Sequence, residues 1–492
     1  MRNITADLYN ERGPRDRFAS FCVGAGRANE ALRRDFYEHL KTAVEHCGFR
    51  YLRFHGLFHD DMAVYREAPD GRPIYNWQYI DAVFDMMLSL GIRPFVELSF
   101  TPRAMASGEK TIFWWRGNVT PPADLDKWGA LVEAFTQHCV ERYGHDEVAL
   151  WFFEVWNEPD YPAFFEGDMH DYFRIYDAAA RAVKSVSPVF RVGGPATSSN
   201  RWIPEMIAHC AENDIPLDFI STHTYGVEGA LDEFGRDLHR LIDDPDSIVR
   251  DVRRARQQIL ESAMPHLPLY YTEWSASYSS RDNIHDSYIS APYILHHLKR
   301  IEGSVEAMSY WTFTDVFEES GPAPTPFHGG FGMINLQGLK KPSFYAYEFY
   351  HALGSRELSC EDPDAWVCHD GGDVQFLFWN YKKPAQGDEP NERYFTRDLP
   401  PHGEEQVTLS AEGLTPGAYL LIERRIGYGK ADVYDEYRKL GCPENLTREQ
   451  VSALALCSRC APACDIVTID GTFSHELTLS ENEVCLVELK KL

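Results

Sequence analysis

The chain has 492 residues, 44% of them apolar and 13% aromatic, with a formal charge of −27. That length exceeds one simple core but is short for three full domains, and the apolar content is that of an ordinary globular protein. A surface this negative repels phosphate backbones and anionic membranes, which excludes nucleic acid as a partner and disfavours a strongly anionic substrate.

The stretch 1–17 mixes charged and polar residues without an apolar core, so it does not read as a signal peptide. No run in the chain approaches the roughly 18 apolar residues of a membrane span. The expectation is a cytoplasmic protein with a small, already imported substrate.

From about residue 19 to 350, strand-like runs alternate with helical patterns. The expected strands are 19–23, 50–54, 93–98, 149–154, 190–193, 218–221, 268–272 and 307–311. After the first comes Gly24-Ala25-Gly26-Arg27-Ala28-Asn29, close to a dinucleotide fingerprint. Its third glycine is replaced by Asn29, so NAD binding is not supported. His55 follows the second strand. Tyr79, Val83, Met86, Met87 and Leu90 share a helical face that stops at Gly91. Asn118-Val119-Thr120 fits a glycosylation triplet but reads as loop chemistry. Leu125, Trp128, Leu131, Val132, Phe135 and Cys139 recur at the helical period.

The fourth strand runs through Trp151-Phe152-Phe153-Glu154-Val155-Trp156-Asn157-Glu158-Pro159. It sets Glu158 at a strand tip, where Pro159 should hold it in an extended backbone. Asn157 supplies an amide for a sugar hydroxyl. The sixth strand is followed by His223-Thr224-Tyr225. The seventh, Leu269-Tyr270-Tyr271-Thr272-Glu273-Trp274, sets a second carboxyl at a strand tip. After the eighth come Trp311, a candidate floor under a sugar ring, and the tight loop Phe327-His328-Gly329-Gly330-Phe331-Gly332. Eight strand–helix units fit a (β/α)8 barrel, with a doubly wound sheet as the rival. In a barrel the C-terminal strand ends converge, so side chains after the fourth and seventh strands can meet, whereas in an open sheet those strands need not be close. Two carboxyls there suit a glycosidase: one protonates the leaving oxygen, the other attacks the sugar.

Beyond about residue 353 the runs at 374–380, 407–409, 418–422, 466–469 and 484–489 are short, apolar and divided by turn residues. They read as an antiparallel β-sandwich, to which residues 3–8 add a strand. The expected division is a barrel over 15–353 and a sandwich from 1–14 and 354–492, with a helical segment over about 430–464 opened by the capping box Thr447-Arg448-Glu449-Gln450. Of the eleven cysteines, Cys22, Cys47, Cys139 and Cys210 read as buried free thiols of a reducing compartment. The triplet Cys457, Cys460 and Cys464 lacks a convincing fourth ligand (Cys442 and Cys485 are the candidates), so no metal and no cofactor are expected.

Through His55-Gly56-Leu57, Val64-Tyr65-Arg66-Glu67, Gly91-Ile92-Arg93-Pro94-Phe95-Val96-Glu97, Gly117-Asn118-Val119-Thr120-Pro121-Pro122, Phe153 to Pro159, Val192-Gly193-Gly194-Pro195, Thr272-Glu273, Ser309-Tyr310-Trp311-Thr312-Phe313 and His328-Gly329-Gly330-Phe331-Gly332, the chain resembles the bacterial β-xylosidases of glycoside hydrolase family 39. The resemblance implies Glu158 as acid/base and Glu273 as nucleophile. It places His55, Phe113, Asn157, His223, Tyr225, Tyr278, Trp311 and Glu319 around the sugar, with the adjacent Glu318 as the alternative to Glu319. It implies a short xylo-oligosaccharide as substrate and a homo-oligomer, often a tetramer. Trp274-Ser275 and Thr222-His223-Thr224 depart from the family pattern. They leave open a β-glucosidase, β-galactosidase, arabinosidase or iduronidase activity on the same scaffold. A non-catalytic sugar-binding protein would not require both carboxyls.

Overall fold

The computed structural model describes residues 2–231 and 237–492. Eight parallel strands close into a barrel: β1 (Cys22–Arg27), β2 (Tyr51–His55), β3 (Arg93–Leu98), β4 (Phe152–Val155), β5 (Arg191–Thr197), β6 (Phe219–Tyr225), β7 (Leu269–Ser275) and β8 (Ala307–Tyr310). Closure rules out the doubly wound sheet.

The first strand starts later than expected, because Phe18–Ser20 forms a 3₁₀ turn. β5, β6 and β7 run further than expected, through Thr197, Tyr225 and Ser275. Their C-terminal ends are polar, so the apolar pattern fades before the hydrogen-bonded ladder does.

Alternation along the strands fills the barrel in layers. Cys22, Tyr51, Phe95, Phe152, Phe219, Tyr270 and Ala307 form an aromatic plug at the N-terminal end, with Phe21 stacked on Tyr51 at 4.6 Å. Phe95 pairs in register with Phe152, and Glu97 with Glu154 one layer up. Next along each strand, Leu52, Phe54, Val96, Leu98, Phe153 and Val155 are buried outward against the helices. The helix Leu125–Tyr143 shows how that outer layer is built. Asp124 caps it by accepting from the Asp126 and Lys127 amides, and Trp128, Leu131, Val132, Phe135 and Cys139 face inward. Each such apolar side chain contributes about 1.5–3 kcal/mol by its burial. In the helix Gln78–Ser89 the expected face is partly wrong: Tyr79 is exposed, and Ile80 and Phe84 join Val83 and Met87 in the core.

Among the described residues outside the barrel, three two-stranded ribbons lie in its loops (Tyr65–Glu67 with Pro73–Tyr75, Thr111–Ile112 with Gly117–Asn118, Val227–Leu231 with Asp237–Leu241), and the other strands form two larger sheets. One orders Arg2–Asp7, Glu404–Glu412 and Thr472–Ser480; the other orders Glu11–Pro14, Arg356–Leu358, Ala365–Asp370, Asp373–Trp379, Val484–Lys491, Gly417–Ile426 and Ala463–Ile469. A second apolar core lies in these sheets, with Ile4, Leu409, Phe376, Tyr419 and Leu489 among its residues. The Arg2–Asp7 strand pairs parallel with Glu404–Glu412, unlike its antiparallel neighbours. No hairpin joins the two, so nothing forces them antiparallel. The helical segment breaks into Val433–Lys439 and Arg448–Cys457, the latter opened by the Thr447–Gln450 capping box. Cys464 lies beyond both, on the Ala463–Ile469 strand.

Candidate active site

The C-terminal mouth of the barrel holds a cavity of about 480 Å³, lined by His55, Asn157, Glu158, Tyr225, Glu273, Tyr278, Trp311 and Glu319, with Tyr161, Asp251 and Phe331 among others. Beneath it sits a charged layer that sequence reasoning missed. Arg53 is fully buried on β2. Its Nε donates to Glu154 Oε2 at 2.5 Å, Nη1 to Glu273 Oε1 at 2.7 Å and Nη2 to Asn157 Oδ1 at 2.9 Å. Nη2 also lies 2.8 Å from Glu97. The signal was present: a charged residue on the inward phase of β2 matches carboxyls on the same phase of β3 and β4. Because Asn157 Oδ1 accepts from Arg53, the amide orientation is fixed and its NH₂ is left for another partner.

Glu158 follows β4 through a turn in which Trp156 has φ 73° and Glu158 itself φ 44°. The expected extended backbone before Pro159 is therefore replaced by a left-handed one. That conformation costs about 1–3 kcal/mol for a residue with a Cβ. It is held by the Glu158 amide donating to Ala196 O at 2.8 Å and by the carboxyl meeting His223 Nδ1 at 2.8 Å. Burial pushes the Glu158 carboxyl up to about 8, the charge of Asp160 adds to this, and His55 and Arg53 oppose it. Asp160 is itself held by the Ser198 amide and hydroxyl.

His223 is kept neutral, its pKa pushed down to about 4 by burial. Its tautomer follows from its neighbours. The Thr272 hydroxyl donates to Glu154 Oε1 at 2.8 Å, so it accepts from His223 Nε2–H at 3.2 Å. Nδ1 is then the acceptor and receives a hydrogen bond from the protonated Glu158 carboxyl.

Glu273, at the end of β7, meets a donor on each oxygen: Arg53 on Oε1 and the Tyr225 hydroxyl on Oε2 at 2.6 Å. One oxygen of Glu158, one ring nitrogen of His223 and one oxygen of Glu273 lie within 4.8 Å of one another. Such a trio has the spacing to hold a metal ion, but the Arg53 charge already bound to Glu273 opposes a cation there.

His55 is fully buried, which opposes its charge, yet Glu97, Glu319 and Glu273 outweigh burial and raise its pKa to about 10. Its Nδ1–H donates to Glu97 at 2.8 Å, and Nε2 lies 3.4 Å from Glu319. Burial pushes Glu319 up to about 7, against the pull of His55. Trp311 lies under the cavity with its ring 4.8 Å from that of His55. A Cβ at Gly24 would overlap the Trp311 ring, and one at Gly26 would overlap Glu30. These two glycines therefore make room for side chains and do not cradle a dinucleotide. Tyr278 stands half-exposed, its ring 6.1 Å from that of Tyr225.

Three expected residues are not in the lining: His223, Phe113 and Glu318. His223 is buried and meets the cavity through Glu158. Phe113 stacks on His55 at 5.9 Å and packs behind it. Glu318 turns away from the cavity, where Arg27 and Arg33 each bind it at 3.0 Å. Of the adjacent pair, only Glu319 faces the site.

A closed parallel barrel with two carboxyl groups facing each other across its C-terminal mouth defines a glycoside hydrolase. Residues 4–465 match the model of Glycosyl hydrolases family 39, and the chain belongs to that family. It is 38% identical over 488 residues to a β-xylosidase of Geobacillus stearothermophilus, covering 96% of this chain and 92% of the relative. It superposes on a monomeric β-xylosidase from Caulobacter crescentus CB15 with a TM-score of 0.97, at 43% identity and full coverage of both chains. A more distant relative is the α-L-iduronidase of Homo sapiens, 25% identical over 453 residues, covering 83% of this chain and 65% of that protein.

Proposed function

We propose that this chain is a retaining, exo-acting β-xylosidase that releases terminal β-D-xylose from short xylo-oligosaccharides by double displacement. The observation that carries this reading is the approach of Glu158 and Glu273, with one oxygen of each within 4.8 Å of the other. That spacing suits carboxyls about 5–5.5 Å apart, which act on one anomeric carbon, and leaves no room for the water an inverting pair holds between them. Glu273, held by Arg53 and Tyr225, attacks the anomeric carbon as Glu158 gives its proton to the leaving oxygen. The resulting Glu158 carboxylate then takes a proton from water, which attacks the same carbon and frees Glu273. His55, Asn157 and Glu319 would bind ring hydroxyls, Trp311 would support the ring face, and Tyr278 would stand at the rim.

Iduronidases are among the more distant relatives. The described residues of the cavity lining, however, offer a uronic acid the carboxyls of Glu273 and Glu319 and no Lys, and their one Arg, Arg201, lies beside Asp160, which disfavours that substrate. A reducing compartment such as the cytoplasm fits eleven cysteines, all unpaired. We keep a homo-oligomer as the assembly to test by size-exclusion with light scattering. A panel of p-nitrophenyl glycosides tests the sugar, and a 2-fluoro-xyloside tests the mechanism by labelling Glu273. Preference for a hexoside, a first-formed product of inverted configuration, or a label on another carboxyl would reject the reading.

A further inference from the structure

The wall of the cavity is not supported by the barrel alone. After Asp373–Trp379, the segment 381–400 leaves the seven-stranded sheet and bonds to the loops that follow β6 and β7. Lys383 Nζ pairs with Asp243 at 2.7 Å, and the Tyr288 hydroxyl donates to Leu399 O at 2.7 Å. Two adjacent residues of the short helix Asn391–Tyr394 reach the cavity by separate routes.

The first route starts at Asn391, which is fully buried. Its Nδ2 donates to Asp282 Oδ2 at 2.6 Å, and its Oδ1 accepts from Gln386 Nε2 at 2.6 Å. Asp282 is fully buried too, and its amide donates to Gly329 O at 3.1 Å. Gly329 has φ 77°, and a Cβ there would overlap the Asp282 backbone. Two residues on, Phe331 lines the cavity. The second route starts at Glu392, whose Oε1 lies 3.4 Å from His239 Nδ1. The His239 ring stands edge-on at 4.6 Å from Tyr278, which also lines the cavity.

We propose that Asn391 and Glu392 are positioning residues of the sugar site, holding Phe331 and Tyr278 in place before substrate arrives. The inference rests on reading the cavity as that site. The physics is preorganisation: a half-exposed aromatic and a glycine-rich loop must otherwise be ordered at the moment of binding, which weakens affinity. Neither residue approaches the reacting carbon, so the effect falls on KM.

The test uses the full chain and an aryl β-xyloside. Asn391→Ala and Glu392→Ala should each raise KM by roughly three- to tenfold and leave kcat within about twofold, in the range of coupling found between contacting residues. In a Tyr278→Ala background, Glu392→Ala should add nothing further to KM. Asn391→Ala removes a buried partner and can destabilise the fold; Glu392→Ala then carries the test alone. A wild-type KM for Glu392→Ala overturns the proposal, and so does a fall in kcat without a rise in KM or an equal KM effect with and without Tyr278. Glu273→Gln is the control. If it stays active, the reading of the cavity itself fails; if it is dead while both variants keep wild-type KM, only this inference fails.

Discussion

Arg53 is the residue whose loss should be felt most widely. It carries one positive charge among the carboxylates of Glu97, Glu154 and Glu273, with His55 as the second cation of the group. Replacing Arg53 with Met removes three charge-assisted contacts at 2.5–2.8 Å and the bond that orients Asn157. Charged hydrogen bonds contribute about 1.5–3 kcal/mol each, but the carboxylates left behind share His55 and can take up protons. The expected loss of stability is therefore that of breaking one buried ion pair, about 3–5 kcal/mol, and not the sum of the bonds. Glu273 also loses the donor that fixes Oε1, and a nucleophile misplaced by about 1 Å costs on the order of 10² in rate. Arg53→Met should therefore lower kcat by about 10²-fold or more. Arg53→Lys keeps the charge without the planar fork, and should recover part of the stability but little of the rate. Urea unfolding and kcat on an aryl β-xyloside measure both. If Arg53→Met unfolds at the wild-type urea concentration, or if Arg53→Lys matches the wild type in rate, the argument from this charged layer is refuted.

The elevated pKa of Glu158 sets a pH dependence. Its protonated form is the working acid, so kcat/KM should fall as pH rises through about 8. Asp160→Asn removes a negative charge that favours the protonated form, so this limb should move to lower pH; a limb that stays or moves up would contradict the account. Glu158→Ala should lose most activity on glycosides with poor leaving groups, and added azide should restore turnover; equal loss on all leaving groups without azide rescue would exclude it as the acid. Gly24→Ala presses a Cβ into the Trp311 ring, an overpacking worth about 1–3 kcal/mol, and should raise KM; a KM equal to that of wild type would show that the floor can yield.

Much of the barrel was legible because strand and helix periods alternate cleanly between residues 19 and 350. The errors have physical causes. Strand ends were drawn short at residues 193, 221 and 272 because the mouth of the barrel is polar by need, and polarity hides the ladder. Arg53 escaped notice because a lone charge in a strand normally marks the solvent side, and only its register with Glu97 and Glu154 reverses that reading. The carboxyls Glu158 and Glu273 could be singled out since each ends an apolar run. Glu318 and Glu319 could not be separated, because adjacent residues of a loop have no fixed phase; Arg27 and Arg33 decide which one turns away. The left-handed Glu158 was hidden for the opposite reason. Pro159 disfavours it locally, and the tertiary contacts with Ala196 and His223 override that preference.

The strand Arg2–Asp7 lies between no local partners; its ladder runs to Glu404–Glu412, and Arg2 reaches Asp362, Trp379 and Glu405. On a ribosome moving at about 5–20 residues per second, it would wait roughly 20–80 s for its partner strand to be made. In the last part of that interval the barrel can close, because its eight strands lie between Cys22 and Tyr310. Ile4 and Ala6, meanwhile, stay outside the apolar core that will bury them. In this order of synthesis the pairing of Arg2–Asp7 with Glu404–Glu412 comes after all eight barrel strands have been made. A newly made molecule offers a bare strand to neighbours until then, so slowed synthesis near residue 400 should increase capture by chaperones more than slowing within the barrel does.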